Sequence, residues 1–168
     1  VRIYVKRENW DGGIWFKLPA TDAEAGKLWE ELADIHPMPM IPYIGDVDCG
    51  IGEMEGCLLG EPVFEKGHLE MLGRLAKQLD EMGAEEFLLF TAAMEMERPD
   101  SIEQALETMG HLDAYELKPQ IRDMDGLGRY LAEKEKEEIP QAIEKIFDYW
   151  NYAAARREQY GCFTKAIW

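Results

Sequence analysis

Residues Val1 to Val5 alternate between apolar and polar, and Ile14 to Leu18 resumes the extended pattern after Asp11-Gly12-Gly13. A turn signal between two such runs predicts a β-hairpin. The period then lengthens. Leu28, Leu32 and Ile35 recur at helical spacing behind Thr21 and Glu24, a capping box, and Pro37, Pro39 and Pro42 stop the run. Tyr43 to Val47 reads as a third strand. Asp48 to Gly60 holds four glycines and reads as a loop.

The middle of the chain is helical in pattern. Leu69, Leu72, Leu75, Ala76 and Leu79 trace one apolar stripe, Gly83 breaks it, and Phe87 to Met96 begins another helix. Asp100-Ser101 caps a further helix that ends near Gly110. Beyond the short apolar run Ala114 to Leu117, Asp123 or Asp125 caps a helix carrying Leu127, Tyr130 and Leu131. Pro140 stands where a helix can begin, with Ile143, Ile146 and Phe147 on one side, and Gly161 to Trp168 reads as a closing strand. The order suggests an α+β chain of three small domains in a row. They are a mixed unit over 1–61, a helical unit over 62–99 and a second mixed unit over 100–168.

Composition narrows the classes. Hydrophobic residues make up 46% of 168, with five Trp, seven Tyr and six Phe, so a folded core is expected. The run around Phe87 to Met94 is too short to span a bilayer, and no basic segment leads into an apolar one as in a secretion signal. Three cysteines, Cys49, Cys57 and Cys162, are an odd count that fits a reducing compartment. A cytoplasmic protein without a membrane segment is expected.

Charge changes the picture most. Eighteen Lys and Arg against 34 Asp and Glu leave −16, and the only adjacent basic pairs, Lys6-Arg7 and Arg156-Arg157, are each followed by Glu. Direct binding to nucleic acid, which needs gathered cations to displace counterions, is disfavoured. The three segments carry −7, −4 and −5 in turn, from 5 cations and 12 acids, 4 and 8, and 9 and 14. A negative surface along the whole chain is expected.

Catalytic and metal chemistry find little support. His36, Cys49, Cys57, His68, His111 and Cys162 are possible ligands, but no pair has zinc-site spacing. Asp123-Met124-Asp125-Gly126 imitates the centre of a calcium loop, yet Ile121 and Ala132 stand where its end ligands belong, so capping is the better role. Ser101, the only serine, stands at a cap, and Gly50-Ile51-Gly52 with Gly56 lacks dinucleotide-loop spacing. No enzyme activity, cofactor or metal is expected.

Carboxylates three or four apart on a helix rise by about 4.5 to 6 Å, comparable to one or two nucleotide steps of about 3.4 Å. Glu30, Glu31 and Asp34, Asp80, Glu81, Glu85 and Glu86, Glu103 and Glu107, and Glu133 and Glu137 offer such spacing. Each like-charge pair costs a few tenths of a kcal/mol in an isolated helix. Two readings account for them: a solubilising face, or an imitation of phosphates that a basic DNA-binding groove accepts in place of DNA.

The chain opens with Ile3-Tyr4-Val5, then Trp10 to Gly13, then Trp15-Phe16-Lys17-Leu18-Pro19, and further on carries Leu127-Gly128-Arg129-Tyr130-Leu131, Ile139-Pro140, and Phe147-Asp148-Tyr149 with Tyr152. The first set resembles the opening, and the second the antirestriction region, of the ArdA-type antirestriction proteins, which are DNA mimics. Two stretches depart from the pattern. Tyr152-Ala153-Ala154 replaces the family's Tyr-Gly-Arg, and Lys6-Arg7-Glu8 replaces Asn-Leu-Gly.

The resemblance implies an elongated body of three domains and a homodimer formed through the C-terminal unit. Leu127, Arg129, Tyr130, Phe147, Asp148 and Tyr149 would serve in that dimer, or would pack the unit's own core. The implied partner is the methyltransferase core of a type I restriction-modification enzyme. An inhibitor of another DNA-binding defence machine such as an RNA-guided nuclease, or an acidic adaptor for a basic protein, are the alternatives.

Overall fold

A computed structural model describes residues 1–8, 10–35, 41–65, 67–137, 139–157 and 159. The protein is mixed α+β. Strand β1 (Arg2–Lys6) pairs antiparallel with β2 (Gly13–Lys17) on one side and β3 (Tyr43–Asp48) on the other, giving the order β2-β1-β3. Arg2 lies opposite both Lys17 and Asp48, and Tyr4 opposite Trp15. This is the expected hairpin with the third strand added at its other edge. Alternation sets the faces: Ile3, Val5 and Ile44 point to the core and are fully or almost fully buried. Tyr4 points outward, its ring 5.2 Å from that of Trp15. Gly13 permits this, because a Cβ there would sit 2.6 Å from the Tyr4 ring.

Helix α1 (Asp22–Ile35) begins at the capping box: the Glu24 carboxylate accepts the Thr21 N–H at 2.8 Å, and Thr21 Oγ1 accepts the Glu24 N–H at 3.3 Å. The bond from the Thr21 backbone holds the Glu24 carboxyl below its ordinary range. Leu28 and Leu32 are buried as their spacing predicts, each contributing about 1.5–3 kcal/mol. Of the residues expected to stop this helix, Pro37 and Pro39 lie outside the described residues.

The supposed loop from Asp48 to Gly60 holds a short helix, α2 (Met54–Leu58), which corrects the sequence expectation. Its glycines are polar-side neighbours of Met54, Cys57 and Leu58, all buried, and burial of that face overrides the weak local propensity. Helices α3 (His68–Glu81), α4 (Ala84–Glu97) and α5 (Ile102–Gly110) follow the expected pattern, and Ser101 Oγ accepts the Gln104 N–H at 3.3 Å to cap α5.

Contacts divide the chain into two compact units, residues 1–116 and 117–168. The expected boundaries at 61/62 and 99/100 both fall inside the first unit. There a single buried cluster runs from Ile3 and Leu28 through Met54, Leu75 and Phe90 to Ile102.

The second unit, among the described residues, is a helix pair: α6 (Met124–Lys134) and α7 (Tyr149–Arg156). Asp123 Oδ1 accepts the Gly126 N–H at 2.7 Å and caps α6. Leu127, Leu131 and Ala153 form the core. Gly128 sets how close the helices come, since a Cβ on it would lie 2.7 Å from the Tyr149 carbonyl carbon and nearer still to its oxygen. The helix expected from Pro140 is absent. Residues 141–146 form a turn and one 3-10 turn (Glu144–Ile146) that leave Ile143 and Ile146 exposed. Helix α7 starts later than the spacing of those isoleucines suggested, at the Asp148 cap, whose Oδ1 accepts the Asn151 N–H at 2.9 Å. The expected strand Gly161 to Trp168 lies outside the described residues.

Candidate partner-binding surface

Glu138 and Glu158 are outside the described residues; of the other 32 carboxylates, 28 are exposed, and Glu53, Glu61, Glu95 and Glu135 are half-buried. All eleven acids singled out by spacing are exposed. None contributes to a core, so what they do is done at the surface.

Their geometry differs from site to site. Glu30 and Asp34 on α1, and Glu103 and Glu107 on α5, stand one turn apart on a continuous helix, as the spacing requires. Glu85 and Glu86 occupy the first turn of α4 and Glu103 that of α5, where the positive end of the helix dipole favours them by about 0.3–1 kcal/mol each. Asp80 and Glu81 close α3, while Glu85 and Glu86 open α4, with Met82 and Gly83 between. The four therefore do not share one helix face. Glu81 has a cation beside it, Lys77 Nζ at 3.9 Å, both side chains 67% exposed, a pairing worth little in water.

The last pair corrects the sequence expectation more fully. Glu133 is helical, but α6 ends at Lys134 and Lys136 takes φ of 55°, so Glu137 is off the helix. The Lys136 N–H donates to the Glu133 carbonyl at 3.1 Å and the Glu137 N–H to the Ala132 carbonyl at 3.0 Å, a Schellman ending with lysine in the place usually held by glycine. Glu137 Oε1 lies 3.9 Å from the Arg156 guanidinium.

Charge follows the structural units, not the expected segments. Residues 1–116 hold 25 acids and 9 cations, a net −16; residues 117–168 hold 9 and 9, a net of zero. The apparent acidity of 100–168 comes from Asp100, Glu103, Glu107, Asp113 and Glu116, with no cation among 100–116. The negative surface expected along the whole chain belongs to the first unit alone.

In the second unit, four of the described cations lie against tyrosine rings. The Arg129 guanidinium carbon sits 4.1 Å from the Tyr149 ring centre, and that of Arg156 3.9 Å from the Tyr152 ring. Lys118 and Lys134 both approach the ring of Tyr130, at 5.6 and 6.0 Å. Glu135 accepts the Tyr152 hydroxyl and Arg156 Nε, the latter at 2.9 Å. Burial, then the bond to Glu135, push the Tyr152 hydroxyl up to about 12. Of the residues implied by the family likeness, Leu127 and Tyr149 are buried, Asp148 is a cap, and Phe147 stacks edge-on against Tyr149 at 4.8 Å. These serve the unit's own packing. Among the described residues of this unit, the large apolar side chains that stay exposed are Ile143, Ile146 at 80% and Trp150 at 54% exposure.

The possible metal ligands do not converge. Among the described residues no three His, Cys, Asp or Glu side chains are gathered to hold an ion. His36 and Cys162 lie outside them. His68 Nδ1 is 3.0 Å from the Pro62 carbonyl, and Cys57 Sγ donates to the Pro99 carbonyl at 3.0 Å. Burial, followed by Asp100, pushes the Cys57 thiol up to about 11, which leaves it a poor nucleophile. Sequence spacing missed the Glu135–Tyr152–Arg156 network, because its members are 17 and 21 residues apart. It also missed a cavity beside α5 that joins Glu97 and Tyr115 to Glu107.

No helix among the described residues is long and apolar enough to cross a membrane. No family model matches the chain, and neither a curated protein nor a solved structure matches it.

Proposed function

We propose that this chain is a non-enzymatic antirestriction protein, an acidic DNA mimic that occupies the DNA-binding groove of a type I restriction-modification enzyme in the cytoplasm. The observation that carries the reading is the first unit's −16 net charge together with the exposure of all nine of its nominated acids. A basic groove releases counterions on meeting such a surface much as it does on meeting DNA. Solubility alone needs far less: a net charge of about 2 to 8 is enough for a small domain. Direct binding of nucleic acid has no part in the reading, and neither does a cofactor.

Residues 117–168 have a different task in it. Their charge is balanced, and the reading gives the exposed apolar side chains Ile143, Ile146 and Trp150 to the contact through which two copies form a homodimer. The reading rests on this display of exposed carboxylates, not on division into three domains. Glu133 and Glu137 stand in the electroneutral unit and are expected to matter less than Glu81, Glu85 and Glu86.

Transfer of an unmodified plasmid or phage into cells carrying type I restriction, with and without this gene, tests the reading. The expected result is recovery of transfer by ten-fold or more. Transfer unchanged by the gene, when the protein is present and folded, would overturn it; protection against an RNA-guided nuclease instead would redirect it to that target.

A further inference from the structure

Alternate residues of the three strands turn away from the core, and their chemistry is sorted by strand. Strand β2 presents Trp15 and Lys17, β1 presents Arg2, Tyr4 and Lys6, and β3 presents Asp46 and Asp48. Tyr4 and Lys6 are half-buried and the others are exposed. With the order β2-β1-β3, this open face is cationic at one edge and anionic at the other, and two aromatic rings lie between.

Side chains of the middle strand lie down on their neighbours. A Cβ on Gly13 would sit 2.6 Å from the Tyr4 ring, and one on Gly45 would sit 2.3 Å from Lys6 Cδ, so Tyr4 leans over β2 and Lys6 over β3. Gly45 is the extra residue of β3 where the register against β1 shifts between Tyr4 and Val5. Arg2 reaches both ways: its guanidinium carbon is 5.4 Å from the Trp15 ring centre, and its Nε donates to Asp48 Oδ2 at 3.0 Å. The result is a level surface on which Trp15 stays 46% exposed.

We propose that this sheet face docks on the same face of a second copy. A two-fold axis along β1 lays β2 of each copy over β3 of the other. Lys17 then meets Asp46 and Asp48 across the contact, twice over, and the Tyr4 and Trp15 rings of the two copies meet in the middle, as inner faces do in sheet-on-sheet packing. An axis across the strands would set β3 against β3, acid against acid, so the order of charge selects the first arrangement. Three strands about 4.8 Å apart and five residues of about 3.4 Å give a footprint of about 250 Å² per copy, well below the ~800 Å² of a standard interface. The contact is therefore weak, with a dissociation constant on the order of 0.1–1 mM. It is distinct from the contact proposed for the second unit and does not depend on the antirestriction reading.

The Trp15 and Tyr4 ring resonances, followed by NMR as the full chain is diluted about fifty-fold from about 1 mM, test the proposal. Both rings should shift with concentration, and less so as salt is raised. Lys17→Asp and Asp46→Lys should each weaken self-association at least about five-fold, whereas an equimolar mixture of the two should regain the wild-type affinity, because the reversed charges then face each other. Lys27→Asp, the same charge change at an exposed position of α1, should stay within about two-fold of the wild type. Ring positions that ignore concentration, or a mixture no tighter than either variant alone, would overturn the proposal. So would shifts that appear only when oligodeoxythymidylate is added, which would assign the face to single-stranded nucleic acid. The Trp150 ring reports separately on the contact in the second unit, and plasmid transfer on antirestriction, so each reading can fail without the others.

Discussion

Residues 1–116 set 25 acids against 9 cations, whereas residues 117–168 set 9 against 9, and the two units use those charges in opposite ways. In the first, the nominated acids lie on helix surfaces where solvent screens them, and the fold is held by one large apolar core. In the second, the core is small, and cations lie on tyrosine rings or bridge carboxylates: Arg129 on Tyr149, Arg156 on Tyr152 and Glu135. Carboxylates that serve only to be displayed are free to be many and redundant. Carboxylates that hold a fold together are few, and each is specific.

The contrast is broken most severely at Gly128. Gly128→Ala drives a Cβ into the Tyr149 carbonyl, a clash with backbone that no rotamer relieves, and should cost about 4 kcal/mol or more. Hydrogen exchange should show amides of α6 and α7 losing protection while those of α3 to α5 keep theirs. Loss of protection in both units together would mean that they do not fold as separate bodies.

A smaller effect follows at Glu135. Glu135→Gln removes a charged acceptor shared by Tyr152 and Arg156, and should cost about 1–2 kcal/mol in a thermal melt. It should also change the pH dependence. Tyr152 is raised from its ordinary value to about 12, so its contribution to stability is whole below about pH 10 and is lost as pH climbs towards 12. The variant should keep only the part of that alkaline slope that burial supplies. In the first unit, replacing Glu30 by Gln should move neither the melt nor its slope beyond about 0.5 kcal/mol.

A small change of the opposite sign is expected at two backbone positions. Lys136 and Arg98 hold φ of 55° and 48°, a left-handed conformation that costs an L side chain about 1 kcal/mol. Lys136→Gly and Arg98→Gly should therefore each stabilise by about 0.5–1 kcal/mol, read as a rise in melting temperature. Equal gains would show that the two units differ in their surfaces, not in their backbones.

Much of the framework was legible in the sequence because its signals are local. The hairpin at Asp11-Gly12-Gly13, the Thr21/Glu24 box, and the caps at Ser101 and Asp123 depend on residues within a few positions of one another. Helix α2 was hidden, since its propensity is poor and only its contacts favour it. The apolar spacing of Ile143 and Ile146 misled for the converse reason: spacing shows that a face could be buried, not that a surface waits to bury it. The exposure of the acids was readable. Their partition was not, because the boundary at 116/117 carries no proline cluster, and the change from a cation-free stretch to balanced charge shows only once the chain is divided there.

The central claim is that carboxylates of residues 1–116 take the place of DNA phosphates in a basic groove. It is tested most directly by the salt dependence of binding to a type I methyltransferase, measured for the wild type, for Glu81→Gln/Glu85→Gln/Glu86→Gln, and for Glu133→Gln/Glu137→Gln. The account predicts that log affinity falls linearly with log salt, that the triple variant loses about two to three units of that slope, and that the double variant keeps the wild-type slope. Affinity indifferent to salt, or a slope that the triple variant leaves untouched, would contradict it.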